Sequence, residues 1–369
     1  MTTNLQTLRA ALSTQFVERD ETIGALLTAI MANEHAFMLG EPGTAKTALA
    51  HAIALALGGL KWWEVLMTRF STPEDLFGPV KLSALQADRF ERATDGYLPS
   101  AELAFLDECW KANGGILNAL LTIMNERVYH NGGAPVPVPL VSCIGASNEL
   151  PEGPELEALY DRFMVRIYVE RIADRGNFLS MLQAPATSIP VLLVDLKAEQ
   201  AVAAAVVLGS DIFEAMADTR TATQKAGMVI SDRRWRKSLS LVRATAHLDG
   251  RTTATADDLS VLEHVLWREP GERSAVSRLV QSVVNPNAAK AVECVDAAKD
   301  ARRKLDGIPE TGKGAYLSAC AEANQTLIEI SSKLTNLGTG AKIAAAKATV
   351  TKLHKEVSQL ASRAMGIAS

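Results

Sequence analysis

The sequence predicts an α/β protein: a mainly parallel sheet sandwiched by helices, followed by two all-helical segments. Two observations carry that expectation. Up to about residue 190, short apolar runs alternate with stretches of helical periodicity, the signature of successive βαβ units. Beyond about residue 191 the short apolar runs stop and helical spacing alone continues. The chain has 369 residues, 48% of them hydrophobic, which is enough for two or three domains with sizeable cores.

The elements follow in order. Leu26, Leu27 and Ile30 lie at helical spacing and lead into residues 35–39, an apolar run that reads as a buried strand. A helix is expected over 46–57, and further strands over 103–106, 138–144 and 164–169. Residues 198–208, 212–218, 232–246 and 256–267 read as amphipathic helices, with Ser231 and Thr255 standing where caps belong. From about 276 the chain is rich in alanine, and Tyr316 is the only aromatic residue after Trp267. Breaks at Gly307-Ile308-Pro309 and Gly338-Thr339-Gly340 divide this stretch into three helices. Leu327, Ile330, Leu334 and Leu337 recur in it at helical spacing, as in a helical hairpin or bundle. The expected division is an α/β core over 1–190, a helical domain over 191–275 and a helical extension over 276–369.

Composition narrows the function classes. The net charge is −4, without the basic excess of a general nucleic-acid binder. Cys109, Cys143, Cys294 and Cys320 are scattered and form no CxxC pair, so reduced thiols are expected rather than a zinc site. The first twenty residues carry charges too often for a signal sequence, and no run of about 18 apolar residues could span a membrane. A soluble, cytoplasmic protein is the expectation.

Five motifs carry chemistry. Gly40-Glu41-Pro42-Gly43-Thr44-Ala45-Lys46-Thr47 follows directly on the apolar run ending at Leu39 and opens the next helix. Glycines there let backbone N–H groups close around phosphates, and the helix dipole favours the anion. Lys46 is placed to reach the β- and γ-phosphates, and the Thr47 hydroxyl to ligate Mg²⁺. Ala45 occupies the position where a glycine is usual; with helical φ/ψ it would leave the loop intact. The second motif is the strand ending in Asp107-Glu108, which puts two carboxylates where ligands bind in open α/β sheets. Asp107 suits the Mg²⁺ water shell, and Glu108 suits the polarisation of an attacking water. Asn148, just after the 138–144 run, could hold that water from the other side. Arg162 in Asp161-Arg162-Phe163 and Arg233 in Ser231-Asp232-Arg233-Arg234-Trp235 complete the order.

This ordered set resembles the AAA+ ATPases, with Walker A, Walker B, sensor 1, an arginine finger and sensor 2. Pro73-Glu74-Asp75-Leu76-Phe77-Gly78 looks like the helix 2 insertion of the MoxR-like clade. The stretches Gly96-Tyr97-Leu98-Pro99, Ile116-Leu117-Asn118 and Asn125-Glu126-Arg127 are similar to its RavA branch. The resemblance covers about residues 15–270. It implies a P-loop AAA+ core, a helical lid, ATP and Mg²⁺, and a homo-oligomeric, usually hexameric, ring with ATP at each subunit interface. It further implies that Arg162 acts in trans and Arg233 in cis, with Arg166 and Arg234 as rivals for those roles. It points to a chaperone-like remodeler of protein substrates working beside a von Willebrand factor A-type partner.

Two other readings compete. A DNA motor would use the hairpin region 127–139, but that segment has one arginine, one histidine and no lysine to meet phosphates. An ATP-gated scaffold with little turnover would not need Glu108 and Arg162. Trp62, Trp63 and Trp267 read as core or interface anchors.

Overall fold

Five strands of five or six residues assemble into one parallel sheet because successive strands are joined by chain segments long enough to cross back. The computed structural model describes residues 4–183, 194–307, 313–337 and 341–365. Expected breaks at 190–191, 308–309 and 338–340 lie outside the described residues. Two compact units are present: residues 1–216 with 223–273, and residues 217–222 with 274–369.

The first unit opens with helices α1 (Asn4–Gln15) and α2 (Asp20–Met31), then strand β1 (His35–Leu39) and α3 (Lys46–Leu57). Strand β2 (Trp62–Leu66) precedes two short helices, α4 (Pro73–Phe77) and α5 (Leu82–Leu85), then β3 (Leu103–Asp107) and α6 (Gly114–Glu126). An antiparallel hairpin, β4 (Val128–Asn131) with β5 (Ala134–Pro137), leads to β6 (Ser142–Ser147), α7 (Pro154–Tyr160), β7 (Phe163–Tyr168) and α8 (Arg175–Gln183). The sheet runs β2-β3-β6-β1-β7, with every pairing parallel. Its carboxyl edge therefore gathers the turns after β1, β3 and β6, while the residues preceding β1 and β7 meet at the amino edge. Phe37 on β1 packs against Trp110, Tyr160 and Phe163 in the core on one face.

Two strand expectations need correction. The run 138–144 is not one strand: β5 ends at Pro137 and β6 begins at Ser142. Pro135, Pro137 and Pro139 cannot donate to a ladder, which confines this stretch to a hairpin arm and a connector. Strand β2 was not anticipated. It is a half-buried edge strand with Glu64 at its centre, so it lacks the continuous apolar run of the buried strands.

The helical part of this unit contains α9 (Leu196–Ala204), α11 (Asp232–Leu248) and both ends of α10 (Ser210–Lys225), whose residues 217–222 group with the second unit. Ser231 caps α11 by accepting from the Arg234 backbone N–H. Residues Ala256–His264 form a 3₁₀ stretch instead of the expected α-helix. Thr255 caps it in a reciprocal box with Asp258, and Asp258 is in turn held by two 2.6 Å bonds from Arg251. The buried guanidinium of Arg234 ties this helical part to the sheet. It donates to the carbonyls of Val265 (2.7 Å), Phe163 (2.8 Å) and Met164 (2.9 Å) and lies 3.3 Å from Asp161 Oδ1.

In the second unit α12 (Arg273–Val284) precedes α13 (Pro286–Arg303), α14 (Lys313–Asn336) and α15 (Ala341–Met365). The last three form a bundle on Ala298, Tyr316, Cys320, Leu327, Leu334 and Val350. None of the described helices is long and apolar enough to cross a membrane.

His35, at the amino edge, is fully enclosed. Its Nδ1 accepts from the Cys143 backbone N–H at 2.9 Å, and its Nε2 lies 2.9 Å from the Met124 carbonyl and 2.6 Å from Arg127 Nη1. Burial, reinforced by the Arg127 charge, holds its pKa well below the ordinary 6.5. The unfolded chain takes up a proton at His35 near pH 6.5 and the folded chain does not. Its contribution is therefore complete above about pH 6.5 and is lost as pH falls, by at most about 1.4 kcal/mol per pH unit. Urea unfolding between about pH 7.5 and 5 should show that loss, and His35→Gln should flatten it.

Candidate active site

The glycine-rich turn after β1 is shaped for anion binding by close backbone approach. A Cβ on Gly40 would lie 2.4 Å from the Val169 carbonyl oxygen, so only glycine fits there. Gly43 has φ 83°, in the left-handed region that glycine adopts freely. Ala45 departs from its expected helical conformation. It stands before α3 with φ 66° and ψ 25°, a left-handed geometry that costs a residue with a Cβ about 1–2 kcal/mol. The turn keeps its form, and the alanine carries the strain.

Lys46 lies across the turn, its Nζ donating to the carbonyls of Gly40 at 2.6 Å and Glu41 at 3.0 Å. Burial lowers its pKa, while Asp107 and Glu108 act against that shift. Pro42 and Thr44 complete the loop, with the Thr44 hydroxyl donating to the Glu41 carbonyl at 2.9 Å. Arg171, just beyond β7, pairs with Glu41 at 2.5 Å. The Thr47 hydroxyl donates to Asp107 Oδ2 at 3.2 Å. This juxtaposition of a hydroxyl and a carboxylate offers the all-oxygen environment that Mg²⁺ prefers.

Glu108 is also in a left-handed conformation, with φ 51°. Strained backbone at a non-glycine residue concentrates at functional sites. The turn lifts Glu108 off the strand, its N–H donates to Asp107 Oδ1 at 3.1 Å, and its carboxylate lies 3.4 Å from Lys111 Nζ. Asn148 is exposed immediately beyond β6, the strand between β3 and β1. The Gly40 N–H donates to the carbonyl of Ser147 at 3.1 Å, so the tip carrying Asn148 borders the loop. Lys46, Thr47, Asp107, Glu108 and Asn148 thus share the carboxyl edge.

The arginines do not join them. Arg162 precedes β7 at the amino edge, near enough to Arg233 for that charge to lower its pKa, second only to burial. Arg233 is exposed on α11 and bonds the Asn125 side chain at the end of α6. Asn125 stands beside Arg127, which donates to the Asn33 carbonyl just before β1. β1 separates these groups from the P-loop by about 13 Å at about 3.3 Å per residue. The expectation that Arg233 reaches its own subunit's phosphates is therefore corrected: the α11–β7 attachment puts it at the far edge. Arg166 and Arg234 are buried and committed. Arg166 donates to the Trp267 carbonyl at 2.6 Å over the Tyr160 ring, and Arg234 holds the carbonyls already described.

Beside the loop lies a cavity of about 330 Å³. Gly43, Thr44 and Ala45 form one side, and Phe16, Val17 and Phe178 contribute apolar surface. The turn between α1 and α2 is fastened to the far wall. Glu18 accepts from the backbone N–H groups of Ala173 (2.8 Å) and Asp174 (3.0 Å), and Arg19 donates to the Glu170 carbonyl at 2.7 Å. Sequence reading missed this wall, because residues 15–19 form no recognisable phosphate or acid motif. Their only local signal is a break in helical periodicity.

Replacing Ala45 tests the strained loop. Ala45→Gly should raise the unfolding free energy by about 0.5–1 kcal/mol, since relief of left-handed strain outweighs the added chain entropy. Ala45→Val should lower it by more than about 1 kcal/mol, both read by urea denaturation.

Comparison with known proteins bears on the fold and the family. Residues 3–187 match the family model described as the MoxR domain in the MoxR-vWA-beta-propeller ternary systems, and residues 211–280 match an AAA lid domain. Two Methanocaldococcus jannaschii proteins, uncharacterized MJ0812 and MJ0079, are 43% and 39% identical. They cover 78% and 89% of this chain, and the matches span 78% and 86% of their own lengths. Chaperone MoxR1 of Mycobacterium tuberculosis is 27% identical over 42% of this chain and 41% of its own. A crystal structure from Cytophaga hutchinsonii, described as a candidate ATPase, superposes with TM-score 0.61 at 18% identity, covering 76% of this chain and 93% of its own. The parallel sheet with its flanking helices and helical lid has the AAA+ fold, and the chain belongs to the MoxR family of AAA+ ATPases.

Proposed function

We propose that this protein hydrolyses ATP in sites shared between copies of itself arranged in a ring, usually a hexamer. One observation carries the reading. The phosphate loop and acids occupy one edge of the sheet, and the two candidate arginines that are not buried, Arg162 and Arg233, occupy the other. A site needing both sets is completed by a neighbouring subunit.

In such a site Lys46 binds the β- and γ-phosphates, and Glu108 accepts the proton of the attacking water, which Asn148 helps to orient. Thr47 and Asp107 would hold Mg²⁺, which supplies charge neutralisation at the phosphates. Arg162 serves as the finger on the neighbour's γ-phosphate, a role worth about 10³–10⁵ in rate in dissected NTPases. Arg233, beside it, also acts in trans.

Mechanical work on protein complexes, with a von Willebrand factor A-type partner, is the role we assign to that hydrolysis. It is supported by the matched family's description and by the chaperone designation of MoxR1. The RavA-like branch rests on the likeness of the Gly96–Pro99, Phe105–Glu108, Ile116–Asn118 and Asn125–Arg127 stretches, with Ala158–Arg162 and Ser231–Trp235 beside them.

Steady-state hydrolysis across a protein concentration series tests the shared site. Specific activity should rise with concentration, and Glu108→Gln should bind ATP while losing at least about 10²-fold in rate. Lys46→Ala and Arg162→Ala should each be inactive alone. Mixed, they should recover activity, because some interfaces then pair an intact loop with an intact finger. No activity at any concentration would point to a nucleotide-gated scaffold, and activity indifferent to Arg162 would sink the trans arrangement.

A further inference from the structure

The two candidate arginines at the amino edge are held differently. Arg233 Nη2 donates to the side-chain oxygen of Asn125 at the end of α6. Arg162 makes looser contacts, 3.4 Å to the Ala158 carbonyl and 3.9 Å to Asp161. A guanidinium has no acceptor atom, so the Asn125 amide must turn its oxygen toward it. Without that bond Arg233 would swing away. It is exposed near the start of α11, its long side chain has rotamer freedom to regain, and Arg162 close by carries the same charge.

Both ends of the Arg233–Asn125 bond stand on fixed backbone. The start of α11 is capped by Ser231 and pinned through Arg234 to the carbonyls of Phe163 and Met164. The end of α6 is closed by Arg127 in a left-handed conformation, φ 56°, with its guanidinium donating to the carbonyls of Asn33 (3.1 Å) and Val141 (3.2 Å). The buried acid within range of the Arg233 charge is already engaged: Glu34 accepts from Lys237, one turn further along α11, at 2.6 Å. The partner of Arg233 is thus a neutral amide. A carboxylate would grip the guanidinium harder but would cancel the charge that a phosphate needs, whereas an amide oxygen orients the cation and leaves its charge in full.

We infer that Asn125 is a positioning residue for hydrolysis: its side-chain oxygen holds the Arg233 guanidinium beside Arg162, so that both arginines meet the neighbouring subunit's phosphates together. Asn125 acts through Arg233. By fixing a long side chain before the neighbour docks, it removes an ordering cost that would otherwise fall on the transition state. This assignment rests on the shared-site reading above and goes further by naming what aims the second arginine.

Steady-state hydrolysis by the full-length chain tests it, at protein concentrations where specific activity has levelled off. Asn125→Ala should lower kcat by about 10-fold. Its KM for ATP and its urea unfolding midpoint should stay close to the parent's, because the lost interaction serves the transition state. Adding Asn125→Ala to Arg233→Ala should slow hydrolysis no further, since two residues acting through one contact are not additive. Mixing in the inactive Lys46→Ala chain should restore turnover to Asn125→Ala, because the neighbour then supplies an intact Asn125–Arg233 pair. Parent-like turnover by Asn125→Ala beside a slow Arg233→Ala would overturn this assignment alone. So would additive losses, no recovery on mixing, or a loss that tracks a lower urea midpoint, the sign of a merely structural role. Parent-like turnover by Arg233→Ala would instead remove Arg233 from the shared site, a failure of the reading beneath the assignment.

Discussion

The attachment of Arg234 governs where the chemistry can happen. Its guanidinium is buried where α11 meets the start of β7, and three backbone carbonyls take its hydrogen bonds. A charge in that position, close to the Arg166 charge as well, is tolerable because its N–H groups meet acceptors. Once α11 is fastened there, Arg233, its neighbour in sequence, must project at the amino edge of the sheet. One residue is consumed as a structural pin and the one before it stays exposed, bonded to the Asn125 side chain, so the choice between them follows from burial.

The opposite edge obeys a different constraint. Parallel pairing of β1, β3 and β6 brings three strand ends together, so residues distant in sequence become neighbours at one rim. Backbone strain is present there as well, as it is at Asn33 and Arg127 on the amino edge. Ala45 and Glu108 both hold left-handed conformations, one shaping the phosphate loop and the other turning the second acid off its strand. Strain of this kind persists only where the surroundings over-determine it. Here the Gly40–Val169 and Gly40–Ser147 approaches pack the loop against two neighbouring strands.

The sequence disclosed the parts of the site that are written as contiguous patterns. The loop at 40–47, the acids at 107–108 and helix α3 need only local spacing and turn chemistry to be read. What it did not disclose depends on long-range geometry. Ala45 was expected to be helical because nothing local forbids it, and the left-handed turn is imposed by the fit of the loop. Arg233 was placed with its own phosphates because motif order says nothing about which edge of the sheet a helix meets. The cavity wall at Gln15–Arg19 is invisible for the same reason, since its opposite side comes from residues more than 150 positions away. Strand β2 escaped because an edge strand can carry Glu64 at its centre without the apolar continuity that marks its buried neighbours.

The two edges together explain why one folded copy falls short. β1 is about 13 Å long, more than an arginine side chain can bridge, and Arg233 is further held by Asn125. The buried arginines cannot substitute, because releasing either would strand carbonyls inside the protein. Closing the gap within one subunit would require breaking the Arg234 attachment, with a loss on the scale of a buried ion pair, about 3–5 kcal/mol. Closing it between subunits needs no such rupture, since the rim carrying Glu108 and Asn148 and the rim carrying Arg162 and Arg233 are both already exposed or half-exposed. Assembly is the cheaper route to a complete site, and it makes hydrolysis depend on contact between neighbours.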